Sequence, residues 1–90
     1  MTPMRPLIYS KNRCQQCIAV KRKLKMEGIE FDEVNIDDLG FTEQQETVEK
    51  LKEDGFQGAP VVYWTNSDGE AKSFYGFNIY EVEKLIEAHS

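Results

Sequence analysis

The stretch that decides the fold is LIYSKNRCQQCIAVKRKLKMEG, residues 7–28. Its apolar start, Leu7–Tyr9, predicts a short buried strand that follows a proline. A polar loop comes next. Good helix formers then run from Gln15–Glu27, with apolar residues at helical spacing: Cys17, Val20 and Leu24. Gly28 supplies the left-handed residue that ends many helices. The stretch therefore predicts a strand, a loop and a helix, with Cys14 where the loop meets the helix.

Two further elements are predicted before the middle of the chain. The segment Glu30–Ile36 places apolar side chains near alternate positions, which predicts a second strand. Thr42–Gln45 has the Ser/Thr-x-x-Glu/Gln form of a capping box. We therefore expect a second helix from this point to about Asp54, with Gly55 as its stop.

The last third of the chain predicts a hairpin and a closing helix. Pro60–Trp64 and Ala71–Tyr75 are strand-like runs on either side of the turn Asn66–Gly69. Asn78–Glu81 has the form of another capping box, and one apolar helical face follows it: Ile79, Val82, Leu85 and Ile86. The order βαβ–α–ββ–α indicates an α/β fold. We expect one domain over residues 1–90, with a four-stranded mixed sheet and three flanking helices.

The composition bounds the class of protein. The chain has 90 residues, of which 40% are hydrophobic and 30% charged, as in an ordinary globular domain. The longest apolar runs, such as Ala59–Trp64, are too short to cross a bilayer, and Met1–Pro6 lacks the apolar stretch of a secretory signal. We therefore expect a cytoplasmic monomer that binds neither a membrane nor nucleic acid, in a compartment where thiols stay reduced.

The chemistry is expected at Cys14. A thiolate at a helix N-terminus meets unpaired backbone N–H groups and the positive end of the helix dipole. Arg13 and Lys11 add positive charge nearby. Together these effects favour the thiolate and lower the cysteine pKa from its free value of about 8.5 towards neutrality.

The second cysteine, Cys17, lies one helical turn further on the same face. The pair is therefore expected to form a redox-active disulfide, with Cys14 as the exposed nucleophile and Cys17 as the buried resolving thiol. Two cysteines do not complete a zinc site, and the one histidine, His89, stands at the far end of the chain. A metal or cluster shared between two chains, and a pair of inert buried cysteines, are alternatives that the spacing leaves open.

Two positions outside this motif are noteworthy. Pro60 precedes a strand, where proline is usually a boundary residue, although a cis bond that brings backbone close to the thiols also suits this position. Gly76 marks either a close backbone approach or simply a turn.

Taken together, these residues resemble the glutaredoxin-like branch of the thioredoxin superfamily. Within it they are most similar to the NrdH-redoxins, whose C-[MV]-Q-C motif is matched by Cys14–Cys17 and whose Ala-Pro-Val-Val segment is matched by Ala59–Val62. The resemblance covers essentially the whole chain and implies a cis Ala59–Pro60 bond.

The resemblance implies a function as well as a fold. NrdH-redoxins take electrons from NADPH through thioredoxin reductase and reduce the large subunit of class Ib ribonucleotide reductase. No bound cofactor or metal is expected beyond the redox-active disulfide. Protein disulfides should dock as extended chain beside residues 59–61, in a groove formed by Gln15, Gln16, Ala59, Pro60, Val61, Gly76 and Phe77.

The chain also departs from related patterns. Glutathione-dependent glutaredoxins typically carry Pro-Tyr between the cysteines and Gly-Gly-x-Asp-Asp before the last helix, whereas this chain has Gln15–Gln16 and Gly76–Tyr80. NrdH-redoxins commonly show Trp-Ser-Gly-Phe-Arg-Pro where this chain has Phe74–Ile79. The alternatives are a glutathione-dependent glutaredoxin and, outside enzymes, a dimeric iron–sulfur cluster carrier.

Overall fold

The computed structural model of the chain describes residues 5–56 and 58–89. The expectations for residues 1–4, 57 and 90 lie outside this range. In chain order the elements are β1 (Leu7–Ser10), α1 (Gln15–Met26), β2 (Asp32–Asn35), a 3-10 turn (Ile36–Asp38), α2 (Phe41–Glu53), β3 (Val61–Thr65), β4 (Ala71–Tyr75) and α3 (Ile79–His89). The predicted order of strands and helices is confirmed.

The four strands form one mixed sheet in the order β2-β1-β3-β4. β1 runs parallel to β2, with Leu7 opposite Asp32, and antiparallel to β3, with Ile8 opposite Val62. β3 and β4 form the expected antiparallel hairpin. This is the predicted thioredoxin-like arrangement, because the parallel βαβ unit and the hairpin share one sheet.

Alternation along the strands divides the core between the two faces of the sheet. One face packs against α1 and α3 around a large buried cluster: Ile8, Val20, Leu24, Ile29, Val62, Trp64, Phe74, Val82 and Leu85. The other face packs against α2 around a smaller cluster of Ile36, Leu51 and Val61. Among the described helices, none is long and apolar enough to cross a membrane.

Several boundaries differ from the sequence predictions, and three of these differences have a structural reason. β2 covers only Asp32–Asn35, because the chain turns into the 3-10 helix at Ile36 and buries that side chain against α2. α2 begins at Phe41 after the N-cap Gly40, and no side chain caps it. The capping box predicted at Thr42–Gln45 is therefore wrong, and the side-chain amide of Gln44 instead donates to the Ile36 carbonyl over 3.3 Å.

The third difference lies at β3, which starts at Val61 rather than at Pro60. Proline has no backbone N–H to donate to a neighbouring strand, which accounts for its place just before the strand. The cap expected for α3 is confirmed. The side-chain oxygen of Asn78 accepts hydrogen bonds from the backbone nitrogens of Tyr80 (3.1 Å) and Glu81 (3.4 Å).

Candidate active site

Cys14 is the N-cap residue of α1, with an extended backbone before the first helical turn. Its sulfur accepts a hydrogen bond from the backbone nitrogen of Cys17 over 3.1 Å. No acidic residue occupies the first turn of α1. This N–H group, which has no backbone partner within the helix, and the positive end of the helix dipole therefore both act on the sulfur, and both favour negative charge on it.

The two cysteines form a disulfide, with their Cα atoms 5.2 Å apart. Cys14 is half-buried, whereas only 1% of Cys17 is exposed. The sequence predicted this contrast from the helical spacing. A partner molecule can therefore reach the first sulfur, while the second is covered by the protein and accessible mainly to the first.

The loop before the dithiol is tied to the far end of β2. The backbone nitrogen of Asn12 donates to a carboxylate oxygen of Asp37 over 2.8 Å, and the side-chain amide of Asn35 donates to the side-chain oxygen of Asn12 over 3.0 Å. Arg13 completes the loop in the left-handed region, with a φ of 54°. These contacts fix the direction in which the chain enters α1.

The two cations expected to favour the thiolate, Lys11 and Arg13, are both exposed. Within residues 5–56 and 58–89, neither forms an ion pair or hydrogen bond with the dithiol. Lys11 borders a small pocket that is otherwise lined by residues of the α2 side: Ile36, Val48, Leu51, Lys52, Phe56 and Gly58. The influence of Lys11 and Arg13 on Cys14 therefore stays a prediction, and it is limited to the weak field of solvated charges.

The Ala59–Pro60 segment reaches the dithiol from the other side of the site. Its peptide bond is cis, as the family resemblance implied. The Ala59 carbonyl oxygen lies 3.7 Å from the Cys14 sulfur, although the two residues are 45 positions apart in the chain. Pro60 is fully buried, and its carbonyl accepts a hydrogen bond from the Gly76 nitrogen over 2.9 Å.

Gly76 makes a close approach to the active-site helix, which decides between the two roles considered for it. Its φ is +76°, and a Cβ placed there would lie 3.2 Å from the side-chain oxygen of Gln16. Gln16, Gly76 and Phe77 line one shallow surface groove, together with Tyr75, Asn78, Ile79 and Tyr80.

The remaining residues expected to contact substrate lie apart from this groove. Gln15 is exposed at the start of α1. Val61 is fully buried and pairs with Tyr9 on one side and Tyr75 on the other. Its side chain belongs to the core on the α2 face, so only its backbone is placed to contribute to docking beside residues 59–61.

Two features near the site were missed in the sequence. Ser10, fully buried, donates to a carboxylate oxygen of Glu33 over 2.6 Å, and the Lys21 ammonium contacts the same oxygen at 2.7 Å. The two hydrogen bonds hold the pKa of Glu33 below its ordinary value, the Lys21 bond more than the Ser10 bond. The parallel pairing of β1 with β2 brings Ser10 near Glu33, and the packing of α1 adds Lys21, so no local pattern signals this group.

The other missed feature is an aromatic cluster beside the Ala59–Pro60 segment. Phe56 stacks on Tyr75 with the ring centroids 6.5 Å apart, and it meets Tyr63 edge-on at 6.2 Å. Tyr63 also donates from its hydroxyl to Asp54 over 2.7 Å. The hairpin brings Tyr63 and Tyr75 near each other, and the chain leaving α2 places Phe56 between them, so the cluster depends on tertiary structure.

No group of three or more potential metal-ligating His, Cys, Asp or Glu residues occurs in the described part of the chain. His89 lies at the end of α3, where its ring meets Trp64 at 6.3 Å. The arrangement at Cys14 therefore offers thiol–disulfide exchange, with one accessible sulfur and one covered sulfur.

Comparisons with known proteins agree with this chemistry. The profile of the glutaredoxin family matches residues 7–68. The glutaredoxin-like protein NrdH of Lactococcus lactis subsp. lactis is 47% identical over 78 residues, covering 87% of this chain and 94% of that protein. The glutaredoxin-like protein NrdH of Escherichia coli K12 is 39% identical over 59 residues, covering 66% and 67%.

Solved structures show the same similarity. The NrdH-redoxin of Escherichia coli, a glutaredoxin-like protein described as having a thioredoxin-like activity profile, superimposes with a TM-score of 0.74 and 33% identity. That alignment covers 91% of this chain and 95% of the other. A glutaredoxin from Archaeoglobus fulgidus gives a TM-score of 0.76 at 28% identity, covering 92% and 86%.

Proposed function

The chain belongs to the glutaredoxin family and is a thiol–disulfide oxidoreductase, and we propose that it carries electrons from thioredoxin reductase to protein disulfides. The acceptor we propose first is the large subunit of a class Ib ribonucleotide reductase. One observation carries the exchange chemistry of this proposal: a half-buried Cys14 caps a helix directly in front of a fully covered Cys17.

The exchange follows from this geometry. The Cys14 thiolate attacks one sulfur of the substrate disulfide, forms a mixed disulfide and expels the other substrate sulfur as a thiolate, which takes up a proton. Cys17 then loses its proton and attacks the Cys14 sulfur, which releases the second substrate thiolate. Two electrons pass to the substrate, and the protein is left with the Cys14–Cys17 disulfide.

A reductase must then return two electrons to this disulfide. We propose that these electrons come from NADPH through thioredoxin reductase and that the protein acts in the cytoplasm. The NrdH relatives support this choice, since their Escherichia coli member has a thioredoxin-like activity profile. The segment Gly76–Tyr80 supports it as well, because it lacks the acidic pair that glutathione-dependent glutaredoxins carry there.

The docking segment would be the backbone at residues 59–61. The Ala59 carbonyl lies beside the reactive sulfur, and the groove of Gln16, Gly76 and Phe77 continues from the same edge of the site. An extended polypeptide laid along this edge would place its disulfide at Cys14. Arg13 and Lys11 would add a weak positive field that favours the attacking thiolate.

The test couples the oxidised protein to NADPH consumption with insulin as terminal disulfide and two alternative electron feeds. One feed is thioredoxin reductase; the other is glutathione with glutathione reductase. We expect turnover with the first feed. Turnover with the second alone would identify a glutathione-dependent glutaredoxin and contradict the proposal.

A separate control addresses the non-enzymatic alternative. The protein is purified without oxygen, and its absorption spectrum and mass in solution are recorded. We expect a colourless monomer. A coloured dimer without insulin reductase activity would instead identify an iron–sulfur cluster carrier.

A further inference from the structure

We infer that Tyr75 is a positioning residue for polypeptide substrates, because its ring supports the backbone segment beside which a protein disulfide docks. The inference rests on the proposed function, since it takes residues 59–61 as the docking segment. It assigns to Tyr75 a selective effect on protein disulfides over small disulfides.

One face of the Tyr75 ring packs against Phe56. The two rings are stacked, with centroids 6.5 Å apart and an interplanar angle of 17°. Phe56 is fixed in turn, because its backbone nitrogen donates to the Leu51 carbonyl of α2 over 2.9 Å and its ring meets Tyr63 edge-on. Through Phe56 the ring of Tyr75 is thereby linked to α2 and to Tyr63 of β3.

Tyr75 also contacts Gly58. A Cβ placed on Gly58 would lie 3.2 Å from the Tyr75 hydroxyl oxygen and 3.5 Å from its ring. A side chain at this position would therefore crowd the tyrosine, which would have to move by a few tenths of an ångström.

The next residue along the chain is the one that contacts the dithiol. Ala59 places its carbonyl oxygen 3.7 Å from the Cys14 sulfur, and Pro60 is held by the Gly76 nitrogen. Tyr75 also stands directly opposite Val61 in the hairpin. Any shift of Gly58 caused by a change at Tyr75 is thus passed to the carbonyl beside the reactive sulfur.

Half of Tyr75, 49%, remains exposed, and it borders the groove lined by Gln16, Gly76 and Phe77. An extended polypeptide beside residues 59–61 uses this segment, whereas a small disulfide needs only the Cys14 sulfur. Loss of the support should therefore slow the reaction with proteins and spare the reaction with small disulfides.

The experiment uses protein reduced with dithiothreitol and then freed of it, so no reductase is involved. Single-turnover rate constants are measured with insulin and with 5,5′-dithiobis(2-nitrobenzoic acid). Tyr75→Ser is expected to lower the insulin rate constant about two- to tenfold, the range that corresponds to the loss of one aromatic pair. The rate constant for the small disulfide is expected to stay within about twofold of wild type.

A double-mutant cycle isolates the contact with Gly58. Gly58→Ala pushes on the tyrosine hydroxyl and should selectively slow the insulin reaction. Tyr75→Phe keeps the stack and removes that hydroxyl, so the pair Gly58→Ala with Tyr75→Phe should recover most of the insulin rate. Phe41→Ser is the control, since this aromatic residue is 75% exposed and makes no ring contact among the described residues.

Equal slowing with both disulfides, or no slowing at all, would overturn the inference. Hydrogen exchange at the Gly76 amide, which donates to the Pro60 carbonyl over 2.9 Å, provides a readout that does not need turnover. Exchange should become faster in Tyr75→Ser, and unchanged exchange would also overturn the inference. A wild-type protein that reacts with insulin no faster than free dithiothreitol would instead contradict the proposed function.

Discussion

The backbone nitrogen of Cys17 donates a hydrogen bond to the sulfur of Cys14 over 3.1 Å. The residue that would resolve the mixed disulfide thus also stabilises negative charge on the sulfur that would form it. Because this bond uses a main-chain group of α1, it persists when the Cys17 side chain is replaced, and the two roles can be separated by mutation.

Replacing each cysteine in turn should give opposite outcomes. Cys14→Ser is expected to reduce insulin turnover to background, since the other thiol of the chain, Cys17, is only 1% exposed. Cys17→Ser should still attack but should not release its product, so a mixed disulfide accumulates. Intact-protein mass spectrometry measures the added mass. The chain has two cysteines, so the adduct in Cys17→Ser has only Cys14 as its attachment site. Full turnover in Cys14→Ser would contradict the mechanism.

Arg13 combines a charge with a left-handed backbone, and two variants separate these properties. Arg13→Gln and Arg13→Gly both remove the charge, and each should move the midpoint of thiolate formation to higher pH by at most about half a unit, as expected for an exposed charge. Thiolate absorbance at 240 nm measures this midpoint.

Arg13→Gly should also be more stable to urea than Arg13→Gln by about 1 kcal/mol, because glycine adopts a φ of 54° without strain. Arg22→Gln, an exposed change further along α1, is the control for the charge effect.

Gly76→Ala should be more harmful than Gly28→Ala, although the two glycines have nearly the same φ, +76° and +73°. Both changes carry the cost of a left-handed alanine, about 1–2 kcal/mol. Only at Gly76 does the new Cβ approach another side chain, the Gln16 oxygen at 3.2 Å. Urea unfolding compares the two. The additional loss of unfolding free energy in Gly76→Ala should shrink when Gln16 is replaced by alanine. If it persists, the contact with Gln16 is not its cause.

Glu33 should make part of the stability dependent on pH. Its pKa lies below the ordinary value of 4.5, mainly through the Lys21 hydrogen bond and secondly through Ser10. A lowered carboxyl pKa contributes stability that is fully present above the unfolded-state value and is lost as the pH falls through the folded-state value. The difference in unfolding free energy between wild type and Glu33→Gln should therefore be largest near neutral pH and should shrink progressively below pH 4.5. A difference independent of pH would show that the carboxylate charge is not the cause.

Much of the architecture could be predicted from local patterns. The β4 strand was predicted with its observed bounds, Ala71–Tyr75, and Asn78 caps α3 as its side chain suggested. α1 was predicted within one residue of its observed end. These features depend on neighbours within a few positions, where helical periodicity and capping chemistry act.

The errors arose where distant parts of the chain compete for a residue. Ile36 continues the apolar alternation of β2, yet burial against Leu51 of α2 draws it into the 3-10 turn. Thr42 has the sequence of a capping residue, but the helix begins before it. At Ile36 tertiary packing outweighs a weak local preference, whereas at Thr42 the helix starts one residue earlier, with Gly40 as its N-cap.

The sequence by itself determined the chemistry: two cysteines one helical turn apart, at the point where a strand and loop lead into a helix. The spacing together with the predicted start of the helix indicated that the first sulfur caps the helix and the second is covered by it. The tertiary structure decided what surrounds the reactive sulfur. Antiparallel pairing of β1 with β3 brings Ala59 within 3.7 Å of Cys14, and the β3–β4 register places Tyr75 beside the same segment. Such contacts join residues many positions apart, so they depend on how the strands pair, and that pairing follows from the hydrophobic pattern of whole strands and from turn geometry rather than from a short motif.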